Sequence, residues 1–99
     1  MVTVVTRVRI KDGQAEEWDA TFRERARAAR GQEGFVFVQL CRPQEAADER
    51  VVVGAWQTRE NWEQWHDDPA FRETRERLEH VDDERAGSQW YDVVVEERA

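Results

Sequence analysis

The spacing of hydrophobic residues changes along the chain, and each change predicts a different element. Val, Thr and Ile occupy every second position from Val2 to Ile10, a period of two that predicts a β-strand. Over residues 14–30 the apolar residues instead recur every three or four positions, which predicts an amphipathic helix. Two apolar runs, at Phe35–Cys41 and at residues 50–57, then predict two strands joined by a hairpin loop that contains Pro43.

The second half of the chain adds a helix in two segments and a fourth strand. Thr58 is a suitable N-cap for a short helix over residues 59–66, because its hydroxyl can accept a hydrogen bond from a free amide of the first turn. Asp68 and Pro69 then restart the helix, which is predicted to run to about residue 80. A charged loop over residues 81–87 is followed by a last strand over residues 88–97.

The resulting order, β-α-β-β-α-β without repeats or linkers, predicts a single domain over residues 1–99. A four-stranded antiparallel sheet with two helices on one face is the ferredoxin-like α+β fold. The second, third and fourth strands have apolar side chains on both faces, whereas two helices cover only one face. Because an uncovered apolar face usually marks an interface, we expect a homodimer in which two sheets pack face to face.

Composition narrows the classes of function. The 99 residues include 22 Asp and Glu against 15 Lys and Arg, a formal net charge of −7. This excess of negative charge disfavours binding to nucleic acid and to anionic membrane surfaces. No apolar run approaches the roughly 20 residues that cross a bilayer, and arginines interrupt the first strand too early for a signal peptide. With Cys41 as the single cysteine, we expect a cytoplasmic protein without intramolecular disulfides.

Candidate chemistry concentrates between the third strand and the second helix. Three tryptophans fall within residues 56–65. Asn61 and Trp65 are four residues apart and therefore share a helical face, with Trp62 beside them. An indole N–H, a side-chain amide and a wide aromatic wall suit a planar aromatic ligand. The alternative is that both helical tryptophans belong to the core and that Asn61 faces solvent.

The two histidines offer little support for metal chemistry. His66 and His80 have no metal-ligand spacing with each other or with a carboxylate cluster, so we predict no metal site. His66 directly follows Trp65 and is a candidate general base near neutral pH, or a solvated residue at the end of a helix.

The segment around the tryptophans resembles the antibiotic biosynthesis monooxygenase family. The resemblance rests on a strand that ends in Trp56, a Thr-capped turn, the spacing Trp62-x-x-Trp65 and the restart Asp68-Pro69-Ala70-Phe71. It implies the same order of elements and a dimer with facing sheets. One branch of the family oxidises phenols or anthrones to quinones with O₂ and with neither metal nor flavin.

The resemblance to this branch assigns roles by position. It implies catalytic roles for Asn61, Trp65 and Arg85, the last in the loop before the final strand. Phe71 stands where the branch has a Tyr and would form an apolar wall of the substrate site, together with Trp62 and His66. The implied function is a cofactor-independent monooxygenase that acts on a small, electron-rich aromatic or polyketide-like substrate.

A second branch degrades haem, and the residue pattern argues against that activity here. Arg75 stands at the position of that branch's haem-ligating His, and Thr6 stands near the position of its Asn. A guanidinium stays protonated at neutral pH and cannot ligate iron. The alternative to an oxygenase is a dimeric module of the same fold that binds a small ligand or stabilises an assembly without catalysis.

Overall fold

The computed structural model describes the backbone of residues 1–99 and the side chains of residues 1–81 and 87–99. The four strands are β1 (Val2–Ile10), β2 (Phe35–Cys41), β3 (Glu49–Trp56) and β4 (Asp82–Asp92). The helices are α1 (Ala15–Ala29), α2 (Arg59–His66) and α3 (Arg72–Val81), with a short 3₁₀ helix, Pro69–Phe71, between α2 and α3. No helix in this description is long and apolar enough to cross a membrane.

The strands form one antiparallel sheet in the order β2-β3-β1-β4. The first strand is therefore internal and pairs with β3 on one side and with β4 on the other. This strand order and the element order β-α-β-β-α-β confirm the ferredoxin-like α+β fold that the sequence predicts.

The last strand differs from the sequence prediction. The sequence predicts a loop over residues 81–87 and a strand over residues 88–97, whereas β4 spans Asp82–Asp92. The pairing of β4 with β1 shifts register twice, and these irregularities absorb extra residues so that the two strands pair from Ile10 to Val2. Val94 and Val95 lie beyond the strand and are 90% and 79% exposed.

The core lies between the sheet and the helices. Every second side chain of β1 is buried on this side, as a period of two requires. Val8 meets Trp18 of α1 and Leu78 of α3 in one cluster of buried side chains. Val4 meets Trp56 of β3 in a second cluster, nearer the other end of the sheet.

Charged side chains join the elements that flank this core. The Arg50 guanidinium donates to both oxygens of the Asp19 carboxylate, at 2.9 and 3.1 Å, and so joins β3 to α1. Arg77 of α3 donates to Glu24 of α1 at 2.6 Å on the surface. This hydrogen bond raises the pKa of the Arg77 guanidinium above its ordinary value.

The helices pack on one face of the sheet, and the other face combines an apolar patch with the exposed Arg7 and Arg9 of β1. Val5 of β1 pairs with Val53 of β3, so both side chains lie on the face away from the helices. Phe37 of β2 pairs with Ala55 of β3 on the same face. Tyr91 of the edge strand β4 also lies there and is 50% exposed. We define this surface, with these residues and Val51, as the open sheet face.

Candidate functional site

A cavity of about 80 Å³ lies between the sheet and the helices and is partly open to solvent. Its floor is the sheet, with side chains from β1, β2 and β3. Six aromatic side chains contribute to its lining: Trp18, Phe22, Phe35, Trp56, Trp62 and Trp65. A planar apolar ligand would exchange water for aromatic and aliphatic contacts in this space.

Trp65 of α2 lines this cavity and carries a buried donor. Its ring stacks on Trp56 with centroids 5.5 Å apart. Its Nε1 is buried and has no hydrogen-bond partner among the side chains and backbone that the structure describes. Because a buried N–H without a partner costs free energy, a ligand oxygen that accepts from Nε1 would gain a hydrogen bond the protein leaves unmade.

Arg25 of α1 is buried beside Trp65. Its Cζ lies 4.1 Å from the centroid of the Trp65 ring, within the range of a cation–π contact. Nη1 donates to the carbonyl oxygen of Phe71 at 3.0 Å and to Oγ1 of Thr74 at 3.4 Å. The side chain therefore joins α1 to the 3₁₀ helix and α3, and holds a positive charge against the indole.

His66, the last residue of α2, lies between an aromatic ring and a guanidinium. Its imidazole stacks on Trp62 with centroids 4.3 Å apart and an angle of 13° between the rings. Nδ1 lies 3.4 Å from Nη2 of Arg25. A guanidinium only donates, so this contact requires Nδ1 to accept and the ring proton to sit on Nε2.

Polar groups also line the cavity at two other places. Arg75 of α3 contributes a second guanidinium, which donates to the carbonyl oxygen of His66 at 2.8 Å. On the floor, Thr6 is 7% exposed, and its hydroxyl shares a hydrogen bond of 2.7 Å with the hydroxyl of Ser88. The cavity thus combines apolar walls with a few placed donors, as small-molecule sites commonly do.

The structure places the predicted site residues in different surroundings. Trp62, Trp65 and His66 line the cavity together. Phe71 lies outside the lining, and its carbonyl oxygen accepts from Arg25. The side chain of Arg85 lies outside the described residues, although its backbone pairs with that of Val8, a residue of the cavity lining.

Asn61 lies at the first turn of α2 rather than in the cavity lining. Its backbone N–H donates to Thr58 Oγ1 at 3.1 Å, which confirms the predicted N-cap. The Thr58 hydroxyl in turn donates to Asn61 Oδ1 at 2.8 Å. The side chain also lies against Gly34, where an added Cβ would overlap it.

Sequence reasoning missed Arg25 and Arg75 as lining residues. Arg25 lies seven residues after Trp18 and four before Ala29, so the sequence already places it on the apolar stripe of α1. A charged residue at such a position is a signal for a buried polar contact. Arg75 gives a weaker signal, because charged residues surround it in the sequence.

The fold and the cavity define a ferredoxin-like α+β protein with an apolar site between helices and sheet. The model of the family "antibiotic biosynthesis monooxygenase" matches residues 1–77. The chain belongs to the antibiotic biosynthesis monooxygenase family, as the resemblance in the sequence indicated. Comparison with curated protein sequences found no match.

Solved structures share the fold at low sequence identity. SnoaB, a cofactor-independent oxygenase from Streptomyces nogalater, has a TM-score of 0.85 and 20% identity over 96% of this chain and 94% of its own. A conserved protein from Methanosarcina mazei Go1 has a TM-score of 0.84 and 16% identity over 91% of this chain and 89% of its own. Rv0793 from Mycobacterium tuberculosis has a TM-score of 0.83 and 14% identity, over 96% of each chain.

Proposed function

We propose that this protein is a cofactor-independent monooxygenase that oxidises a small, electron-rich aromatic or polyketide-like substrate with O₂. Membership of the monooxygenase family supports this proposal. The observation that carries it is the buried Nε1 of Trp65, which has no partner among the described residues and belongs to a ring that lines an apolar cavity. A donor in such a place suits a substrate with a ring oxygen that becomes more negative during the reaction.

The proposed reaction needs no electrons beyond those of the substrate. In an anthrone, a ring CH₂ group and one O₂ become a ring carbonyl and one H₂O. The carbon is oxidised, one oxygen atom enters the product, and both hydrogens leave in the water. The slow step is the reaction of triplet O₂ with a closed-shell molecule, and the substrate anion accelerates it because the anion gives up one electron more readily.

The protein's part is to favour the anion and to keep water away from it. Trp65 Nε1–H would hydrogen-bond the substrate oxygen as negative charge develops there, a contribution typically worth about 2.7–4 kcal/mol of barrier. Aromatic walls such as Trp62 and Phe35 would exclude water and admit O₂.

Asn61 and Arg85 complete the proposed catalytic set. Asn61 lies one turn before Trp65 on α2; Thr58 binds its amide oxygen, and rotation of the side chain would turn the Nδ2 donor towards the substrate. The backbone of Arg85 pairs with that of Val8, a residue of the lining, and the role proposed for Arg85 rests on the family resemblance. Phe71, Trp62 and His66 are the proposed substrate contacts, two of them in the lining.

An oxygen electrode tests the proposed activity. Metal-depleted protein is incubated with anthrone-type and hydroquinone-type compounds while quinone absorbance is recorded. We expect oxygen uptake above the uncatalysed rate with at least one anthrone. Oxygen consumption no faster than without protein across the panel would contradict the proposal.

A specific observation favours the alternative, a ligand-binding module without catalysis. The Asn61 amide oxygen is bound by Thr58, and the side chain lies outside the cavity lining. If this arrangement persists with a ligand, the cavity binds an aromatic molecule but lacks one donor of the proposed set. Saturable binding without oxygen uptake would identify this alternative.

We also propose that the protein is a homodimer that buries the open sheet face. Val5, Val53 and Phe37 form a contiguous apolar surface there, and Tyr91 extends it at the sheet edge. Two such sheets packed face to face would exclude water from these side chains.

A further inference from the structure

The charges on the cavity wall contrast with the charge of the whole chain. Arg25, His66 and Arg75 line the cavity, and no Asp or Glu does so among the side chains that the structure describes. The chain as a whole carries 22 acidic residues and a net charge of −7. None of the described carboxylates therefore lines this space, while two guanidinium groups border it.

The two guanidinium groups lie at different depths. Arg25 is 4% exposed and covers the ring of Trp65. The Arg75 side chain is 24% exposed, and its Nη1 lies 3.6 Å from the Asp67 carboxylate, which is itself 74% exposed. The two guanidinium groups therefore lie along one wall, from beside the indole of Trp65 towards solvent, where Asp67 faces the outer one.

Both arginines are fixed in place before any ligand binds. Arg25 is held by the carbonyl oxygen of Phe71, and Arg75 by the carbonyl oxygen of His66. A guanidinium held in this way loses little conformational entropy when it binds a carboxylate, and its planar fork is only weakly hydrated. An apolar cavity alone favours neutral rings, because burying an anion without a partner costs free energy. A guanidinium beside the cavity offsets that cost by pairing with the anion.

We propose that the natural substrate is an aromatic compound with a permanent negative charge, such as a ring carboxylate, which lies against Arg75 and Arg25. The ring then packs beside Trp65, with the anionic group on the side nearer solvent. This inference rests on the proposed function, since it names the substrate class of the same cavity. It concerns binding, so it is tested separately from turnover.

A pair of probes that differ only in charge tests the inference. Naphthalene-2-carboxylate and naphthalene-2-carboxamide have nearly the same shape, and neither has the activated CH₂ or hydroxyl group that the proposed reaction oxidises. We expect isothermal titration calorimetry to show the carboxylate binding at least about tenfold more tightly, because part of the Coulomb attraction survives desolvation at a half-buried site. The preference should persist in 0.15 M NaCl, since such pairs are screened less than exposed ones.

Variants assign the preference to the arginines. Arg75→Gln should weaken carboxylate binding about tenfold and leave carboxamide binding unchanged, and Arg75→Lys should restore most of the loss. Arg25→Lys keeps the buried charge and should retain the preference. Arg77→Gln is the matched control, because Arg77 lies on the same helix but faces Glu24 on the surface. This variant should bind both probes as the wild type does.

Three results would overturn the inference. Equal affinity for the two probes is one, and no heat from either probe at millimolar concentration is another. The third is a preference for the carboxylate that does not depend on Arg75. It would either survive in Arg75→Gln or be lost to the same extent in Arg77→Gln as in Arg75→Gln.

Charge-selective binding without oxygen uptake would contradict the proposed function and leave this inference standing. Oxygen uptake on neutral anthrones without charge preference would do the reverse.

Discussion

Trp65 is held by contacts to its ring, while its buried N–H has no hydrogen-bond partner among the described residues. Trp56 stacks on the ring and the Arg25 guanidinium lies over it, so the direction of Nε1 is set by packing. A donor that is oriented in advance costs no reorganisation when charge develops on a substrate. In the proposed reaction, Arg25 would therefore position Trp65 as well as supply positive charge.

Gly34 provides a stability test at the same end of the site. Its φ is +83°, and an added Cβ would overlap the Asn61 side chain. Gly34→Ala should cost roughly 1–2 kcal/mol for the left-handed backbone, with about 1–3 kcal/mol more for the overlap. Urea denaturation measures this loss. Gly31→Ala is the control, since nothing lies within 4 Å of its added Cβ, and an unchanged Gly34→Ala midpoint would contradict the described packing.

The spacing of single residues predicted part of the site and missed the rest. A separation of four placed Asn61 and Trp65 on one helical face, and Trp65 does line the cavity. Spacing did not show that Thr58, as N-cap, also binds the Asn61 amide, because a cap competes for the polar groups of the first turn. Arg25 was missed although its position on the apolar stripe was visible in the sequence.

At the scale of elements, hydrophobic patterning located three strands well and the fourth poorly. The first three strands have β-branched or aromatic runs that match their observed bounds within one residue. The first half of β4 has the sequence Asp-Asp-Glu-Arg, which resembles a loop. Because β4 is an edge strand, charged residues are tolerated there, and pairing with β1 decides where it begins. The exposed valines after Asp92 show that β propensity without a partner strand does not make a strand.

The ion pair between Asp19 of α1 and Arg50 of β3 gives a prediction at this scale. Asp19→Ala leaves the Arg50 side chain, which is only 6% exposed, without its carboxylate. We expect a loss of about 1–3 kcal/mol in the free energy of unfolding, because Arg50 keeps its bonds to the carbonyl oxygens of Ala47 and Glu49. Glu24→Ala is the control and should have no measurable effect, since its ion pair with Arg77 lies on the surface. Equal effects of the two substitutions in urea denaturation would contradict the burial described for Arg50.

At the scale of the whole molecule, acidic residues dominate the chain and basic groups border its cavity. A net charge of −7 is unfavourable for binding to nucleic acid and to anionic surfaces. The described part of the cavity lining combines basic and aromatic side chains. The acidic surface is therefore unfavourable for anions, whereas the cavity lining is not. This separation would be hard to infer from composition, because it depends on which side chains the fold turns inward.

The proposed dimer is tested by one charge on the open sheet face. Val53→Glu places a carboxylate at the centre of that face, opposite Val5, and should convert the protein to a folded monomer in sedimentation velocity experiments. An interface of this kind should bury on the order of 2,000 Å² or more. Val94→Glu, at a position 90% exposed beyond β4, is the control and should remain dimeric. A wild-type protein that is monomeric at micromolar concentration would contradict the proposal.

Incubation with an anthrone under ¹⁸O₂, followed by mass spectrometry of the quinone, tests the proposed reaction most directly. We expect one ¹⁸O atom in the new carbonyl, formed faster than in the absence of protein. Trp65→Phe should slow this product by about 10²–10³-fold, because it removes the buried donor. Trp90→Phe, outside the cavity lining, should keep wild-type rates. A quinone formed no faster than without protein, or at equal rates by the wild type and Trp65→Phe, would contradict the account.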